Sequence, residues 1–144
     1  MKVEILINLI TSSMLMCLIW LVQVLHYPSF RFIDQTNFAL FESFHTRSIS
    51  LIVMPLMLIE LFTSGYLFFK SPQNLFLSIS FVSVILIWIS TFYFSIPCHQ
   101  KLSLGYDRQV IEKLINTNWP RTILWSLKFL LSVLLIKGVS YERL

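Results

Sequence analysis

Residues 75–96 read LFLSISFVSVILIWISTFYFSI, without one Asp, Glu, Lys or Arg. A helix of roughly 20 such residues crosses a hydrocarbon core about 30 Å thick. Three further apolar runs, at 3–26, 48–69 and 121–136, fill most of the remaining chain. The first two match that length, and the last is shorter and crosses only with Trp119 and Lys137 as its interfacial ends. The pattern predicts an all-α, integral membrane bundle of four transmembrane helices, one domain over residues 1–144. Composition agrees. The chain is 56% hydrophobic and 12% charged, where a soluble domain carries about 25% charged residues.

The first run is read as a retained anchor. Only Lys2 precedes it, its apolar stretch exceeds the core of a secretory signal, and no small-x-small cleavage site follows. The net charge of +4 does not indicate nucleic acid as a partner, because the basic residues are scattered over the links without a cluster. Cys17 lies inside the first run and Cys98 at the membrane edge, so an intrachain disulfide is not expected.

The four-residue link Lys70, Ser71, Pro72, Gln73 forces an antiparallel pair. The other two links are longer and read as interfacial amphipathic segments on one side of the membrane. Asp34 is expected to cap the first, with Phe38, Phe41 and Phe44 at helical spacing. Asp107 is expected to cap the second, with Val110, Ile111, Leu114 and Ile115 on one face. Pro120 suits the first turn of the fourth span, with Asn118 or Thr117 as its cap.

Polar residues within lipid are costly and turn toward a bundle interior. At 100° per residue the spans carry polar stripes. Asn8, Thr11, Ser12, Gln23 and His26 share one side of the first, and Glu42, His45 and Glu60 one side of the second. Arg121, Trp125, Lys128 and Ser132 follow at three- and four-residue steps in the fourth. An unpaired charge at mid-span costs about 2.5–3.5 kcal/mol, which calls for a Glu60–Lys128 pair or a neutral Glu60. Trp20, Trp88, Tyr93 and Tyr141 read as lipid-facing or belt aromatics.

All three histidines fall at one membrane edge. His26 ends the first span, His45 opens the second and His99 follows the third. Imidazole titrates near neutral pH and is the commonest metal ligand. His26, His45 and His99 are therefore candidates for catalysis as acid and base, or for a single metal ion with Glu42 or Cys98 as a fourth ligand. Glu42 and His45 form one E-x-x-H step, half of what a di-iron carboxylate site uses. A b-type haem on two of the histidines is a second option. A third has no metal, with the histidines and Arg121 binding an anionic or quinone-like headgroup. Asn118 and Arg121 are candidate substrate-binding residues, with Glu60 and Lys128 shaping the field around them.

Two stretches also carry a resemblance. One is His26-Tyr27-Pro28 followed by His45-x-Arg47 and Pro55…Glu60. The other is Pro97-x-His99-x-x-Leu102-x-x-Gly105-x-Asp107, leading to Asn118-Trp119-x-Arg121-Thr122-x-x-Trp125. Together they resemble small, uncharacterised bacterial four-helix membrane proteins, distant relatives of the anthrone-oxygenase-like group. The resemblance implies the four-helix fold and draws attention to His26, His45, His99, Asn118 and Arg121.

The expectation is a small membrane oxidoreductase or oxygenase-like enzyme with its histidine cluster at one face, acting on an apolar or lipidic substrate. Its partners would be the lipid bilayer and an apolar small molecule. The alternative is a non-catalytic accessory subunit that binds haem, quinone or a larger membrane complex. Basic residues are more numerous at the histidine end: Arg31, Arg47, Lys101, Arg108, Lys113 and Arg121, against Lys2, Lys70, Lys137 and Arg143. This places that end in the cytoplasm, and the resemblance implies a bacterial inner membrane.

Overall fold

The computed structural model describes residues 3–141, with side chains through Ile136. Lys2 and Arg143 lie outside the described residues, as do the side chains of Lys137 and Tyr141. Four long helices make up the fold: α1 (Val3–Phe32), α2 (Phe38–Lys70), α3 (Leu75–Leu102) and α4 (Arg108–Tyr141). Each is long and apolar enough to cross a membrane. No strand occurs among the described residues. The helices run up and down, each packs on its chain neighbour, and α1 meets α4 to close the ring.

The links differ from expectation. The two amphipathic segments are continuous with the spans that follow them, forming the first turns of α2 and α4. Their apolar faces pack on the bundle end, where Phe38, Ile111 and Leu114 are fully buried, so nothing interrupts the helix. Pro120 accordingly sits inside α4 and starts no new helix. Asp107 does cap α4, accepting from Gln109 N at 2.9 Å and Val110 N at 3.1 Å. Asp34 does not cap α2. It closes a tight turn on Thr36, accepting from that residue's hydroxyl and from its backbone N–H. Those bonds hold its exposed carboxyl below the usual carboxylate range. Asn37 takes the cap position without a side-chain bond.

Two prolines reshape α1 and α3. A proline ring clashes with the carbonyl four residues earlier and offers no N–H to it. Pro28 and Pro97 therefore crowd Val24 and Tyr93, and each of those residues lies in the middle of a π-helical turn, Val22–His26 and Thr91–Ser95. The wider turns close with five-residue bonds, Tyr27 N to Val22 O and Ile96 N to Thr91 O. Each fits about one extra residue into the register, and such turns recur at functional sites.

Apolar packing closes both ends of the bundle. Phe30, Phe38, Leu102, Ile111 and Leu114 fill the histidine end, and Ile5, Leu67 and Leu77 fill the other. Between them lies a polar layer.

Candidate functional site

The π turn of α1 ends on His26, and the segment after the π turn of α3 carries His99. His45 comes from α2 between them. His26 Nε2 lies 2.7 Å from His45 Nδ1, and the His45 and His99 rings have centroids 5.5 Å apart. All three histidines therefore meet at one end of the bundle, as their positions in the sequence predict. The E-x-x-H step places Glu42 on the same face of α2 as His45. Glu42 is fully buried, and its Oε1 lies 2.5 Å from His99 Nδ1. On the other edge of the His99 ring, Nε2 is 3.1 Å from the Tyr27 hydroxyl. Glu42, His99 and Tyr27 thus form one hydrogen-bonded chain, and His26 and His45 form a second bonded pair beside it.

Arg121 reaches this cluster from α4. Its Nη1 donates to Ser95 Oγ at 2.9 Å and to Asn118 Oδ1 at 3.0 Å, and its guanidinium also approaches Tyr27. Asn118 is held in turn, its Nδ2 donating to Gln23 Oε1 at 2.9 Å. Both ends of the Asn118 amide are engaged, so it positions Arg121 in this structure. Three buried polar atoms near the cluster find no partner in the protein: Glu42 Oε2, His45 Nε2 and Arg121 Nε. Leaving such atoms unmade costs about 1–3 kcal/mol each, and they gather where a site has another task.

Glu60 and Lys128 occupy the polar layer below. Lys128 Nζ stands 3.4 Å from Glu60 Oε1, so the expected pair forms. Ser12 donates to Glu60 Oε1 at 2.9 Å, and Trp125 Nε1 donates to Oε2 at 3.0 Å. Lys128 completes its shell with Ser12 Oγ and Asn8 Oδ1. Every member of the predicted stripe in α4 is buried. Glu60 and Lys128 line neither of the two larger cavities, and of their partners Trp125 alone reaches the wall of the smaller one.

The larger cavity, about 370 Å³, lies between α1 and α2. Leu18, Leu25, Phe41 and Ile52 make its walls apolar, and His26, His45 and Ser48 supply its polar groups. A second cavity of about 160 Å³ lies beside it, with Tyr27, His99, Arg121 and Trp125 in its lining. Cys98 lines a different, smaller pocket with Lys101 and Lys113, and both cysteines are free.

Among the described residues, no group of three or more His, Cys, Asp or Glu could hold a metal ion. The proposed ligands His26, His45, His99 and Glu42 are close together, but His26 Nε2, His45 Nδ1, both His99 nitrogens and Glu42 Oε1 bond one another or Tyr27, which leaves His45 Nε2 and Glu42 Oε2 without a partner. Tyr27 and Ser95 were not marked as site residues by the stripes. Tyr27 could have been found from its place between His26 and Pro28, where the helix widens. Ser95 carries no such signal. The Arg31–Glu112 ion pair, bidentate at 2.7 and 2.6 Å, also escapes a reading of single spans.

The chain matches no family model, and no curated protein and no solved structure is significantly similar to it.

Proposed function

We propose that the chain is a small membrane enzyme that moves protons on an apolar molecule taken sideways from the bilayer. The observation that carries this reading is the Glu42–His99–Tyr27 chain, 2.5 and 3.1 Å, set beside a histidine pair that lines an apolar cavity. A carboxylate that accepts from one ring nitrogen orients the imidazole and leaves the other free to take a proton from a hydroxyl. Glu42 and His99 stand in those roles toward Tyr27. His26 and His45 can pass one proton across their 2.7 Å contact, so that the cavity meets a donor in one tautomer and an acceptor in the other. The amphipathic starts of α2 and α4 roof this end of the bundle.

The oxidoreductase or oxygenase-like assignment belongs to the same proposal. Proton removal from the substrate is the step these residues can carry, and dioxygen, the co-substrate that an oxygenase implies, would be the acceptor of its electrons. The setting we propose is a bacterial inner membrane with the histidine end in the cytoplasm. Exposed basic residues such as Arg47, Lys101 and Arg108 at that end favour it.

The test is to incubate the full chain in nanodiscs with a total membrane lipid extract and follow every lipid mass over time. The expected result is one species consumed and one product formed by the unaltered chain, with neither change in His99→Gln or His45→Gln. An unchanged lipid profile overturns the enzymatic reading. Recovery of the chain within a larger membrane complex would then return the accessory role. Elemental analysis of the same preparation decides the metal question: stoichiometric zinc, copper or iron lost in both variants would mean that the histidines rearrange around an ion.

A further inference from the structure

Arg121 is a buried cation without a carboxylate. It is 6% exposed, its Nη1 donates to two neutral oxygens, and its Nε has no partner in the protein. The Trp125 ring lies 5.1 Å from its guanidinium carbon and is also uncharged. The glutamates that the structure describes are engaged elsewhere: Glu4 with Lys70, Glu42 with His99, Glu60 with Lys128 and Glu112 with Arg31. Asp34 and Asp107 serve turns at the ends of the helices. A guanidinium does not shed its proton in proteins. A buried ion without a counter-charge beside it points to a ligand, because burial alone disfavours the charge. Lys128, the other buried cation among the described residues, shows how this bundle treats a charge that serves the fold: it meets Glu60 at 3.4 Å.

The space beside Arg121 fits an anion of one kind. The cavity of about 160 Å³ has Arg121, His99 and Tyr27 at one part of its wall and Val53, Met54 and Met57 at another. Leu18, Val22 and Ile49 line both this cavity and the larger apolar one, so a head held in the smaller has a neighbouring space for its tail. We propose that this cavity binds the carboxylate head of a single-chain amphiphile, of the fatty acid class, with Arg121 as its counter-ion. One cation balances one negative charge. A planar carboxylate suits the guanidinium fork. A phosphate monoester would bring a second charge against apolar walls, and a two-chain lipid head exceeds the space. This binding needs no reaction, so a chain that holds the ligand and converts nothing would keep this inference and lose the enzymatic reading.

The test uses the full chain in nanodiscs and radiolabelled dodecanoate, with empty nanodiscs as background. Dodecanol, acetate and inorganic phosphate are the unlabelled competitors. Saturable binding near one dodecanoate per chain is expected. Dodecanol should compete at least tenfold more weakly than unlabelled dodecanoate, and acetate and phosphate should not compete. Arg121→Gln should lose at least tenfold in affinity, and Arg121→Lys should lose less. Equal competition by dodecanol, or unchanged binding in Arg121→Gln, overturns the assignment of the charge. Competition by acetate or phosphate at the level of dodecanoate overturns the amphiphile. Should Arg121→Gln fail to fold, the competitor series on the unaltered chain decides alone.

Discussion

Glu42 and His99 stand 57 positions apart in the chain, yet Oε1 and Nδ1 approach to 2.5 Å in the roofed end of the bundle. The carboxylate is fully buried and its second oxygen has no partner, so the imidazole is its one side-chain contact. Removing one member of a buried pair costs about 3–5 kcal/mol, because the other is left uncompensated. Glu42→Ala should therefore lower the unfolding midpoint in detergent markedly. Glu42→Gln keeps an acceptor of the same shape and should unfold close to the unaltered chain. Turnover should fall in both variants, since an amide orients the imidazole without supporting its charge. Full activity in Glu42→Gln would remove the carboxylate from the mechanism.

The Lys128–Glu60 pair tests whether the polar layer serves the fold. Lys128→Met alone leaves Glu60 among Ser12 and Trp125, and Glu60→Gln alone leaves Lys128 facing neutral groups. Each should destabilise by about 3–5 kcal/mol. The double variant should recover part of that loss, with a coupling of about 0.5–3 kcal/mol from a double-mutant cycle. Additive losses would mean that the two charges do not depend on each other.

These two networks differ in how far the sequence revealed them. The stripe Arg121, Trp125, Lys128, Ser132 follows an undistorted helix, so counting at 100° per residue placed all four inward correctly. The pairing of Glu60 with Lys128 followed from the cost of a lone charge in lipid. The histidines were gathered correctly because each ends or opens a span at the same edge. Their bonding was not legible. It depends on two π turns that shift His26, Tyr27 and Ser95 away from the register a straight helix gives them. The cavities were hidden for another reason: their walls come from separate helices, and no single span records a gap between two others. The role of the links was not legible either, because an amphipathic face looks the same whether it floats at an interface or caps a bundle.

The Arg31–Glu112 pair offers a contrast with the buried ones. It is bidentate, at 2.7 and 2.6 Å, but both side chains are about one-third exposed, at 34% and 37%. Surface pairs contribute about 0–1 kcal/mol and weaken with salt. Arg31→Lys loses the two-pronged contact, so a small drop in the unfolding midpoint is expected at low ionic strength and none at 1 M salt. A large, salt-independent loss would show that this pair clamps the end of α1 to the start of α4 more firmly than its exposure indicates.

Pro28 and Pro97 allow the register argument itself to be tested. Alanine at either position restores an N–H and removes the ring that crowds Val24 or Tyr93, so the π turn can relax to an α-helical one. Alanine is favoured over proline by about 3 kcal/mol within a helix, and Pro28→Ala and Pro97→Ala should unfold no earlier than the unaltered chain. The site should suffer all the same. In Pro28→Ala, relaxation turns His26 away from His45 and Tyr27 away from His99. In Pro97→Ala it moves His99 from Glu42 and Ser95 from Arg121. Retained stability with lost dodecanoate binding in Pro97→Ala, where Arg121 loses its Ser95 contact, is the expected signature. Unchanged binding and unchanged turnover in both variants would show that packing, not proline, holds the wide turns, and that the cluster tolerates the ordinary register.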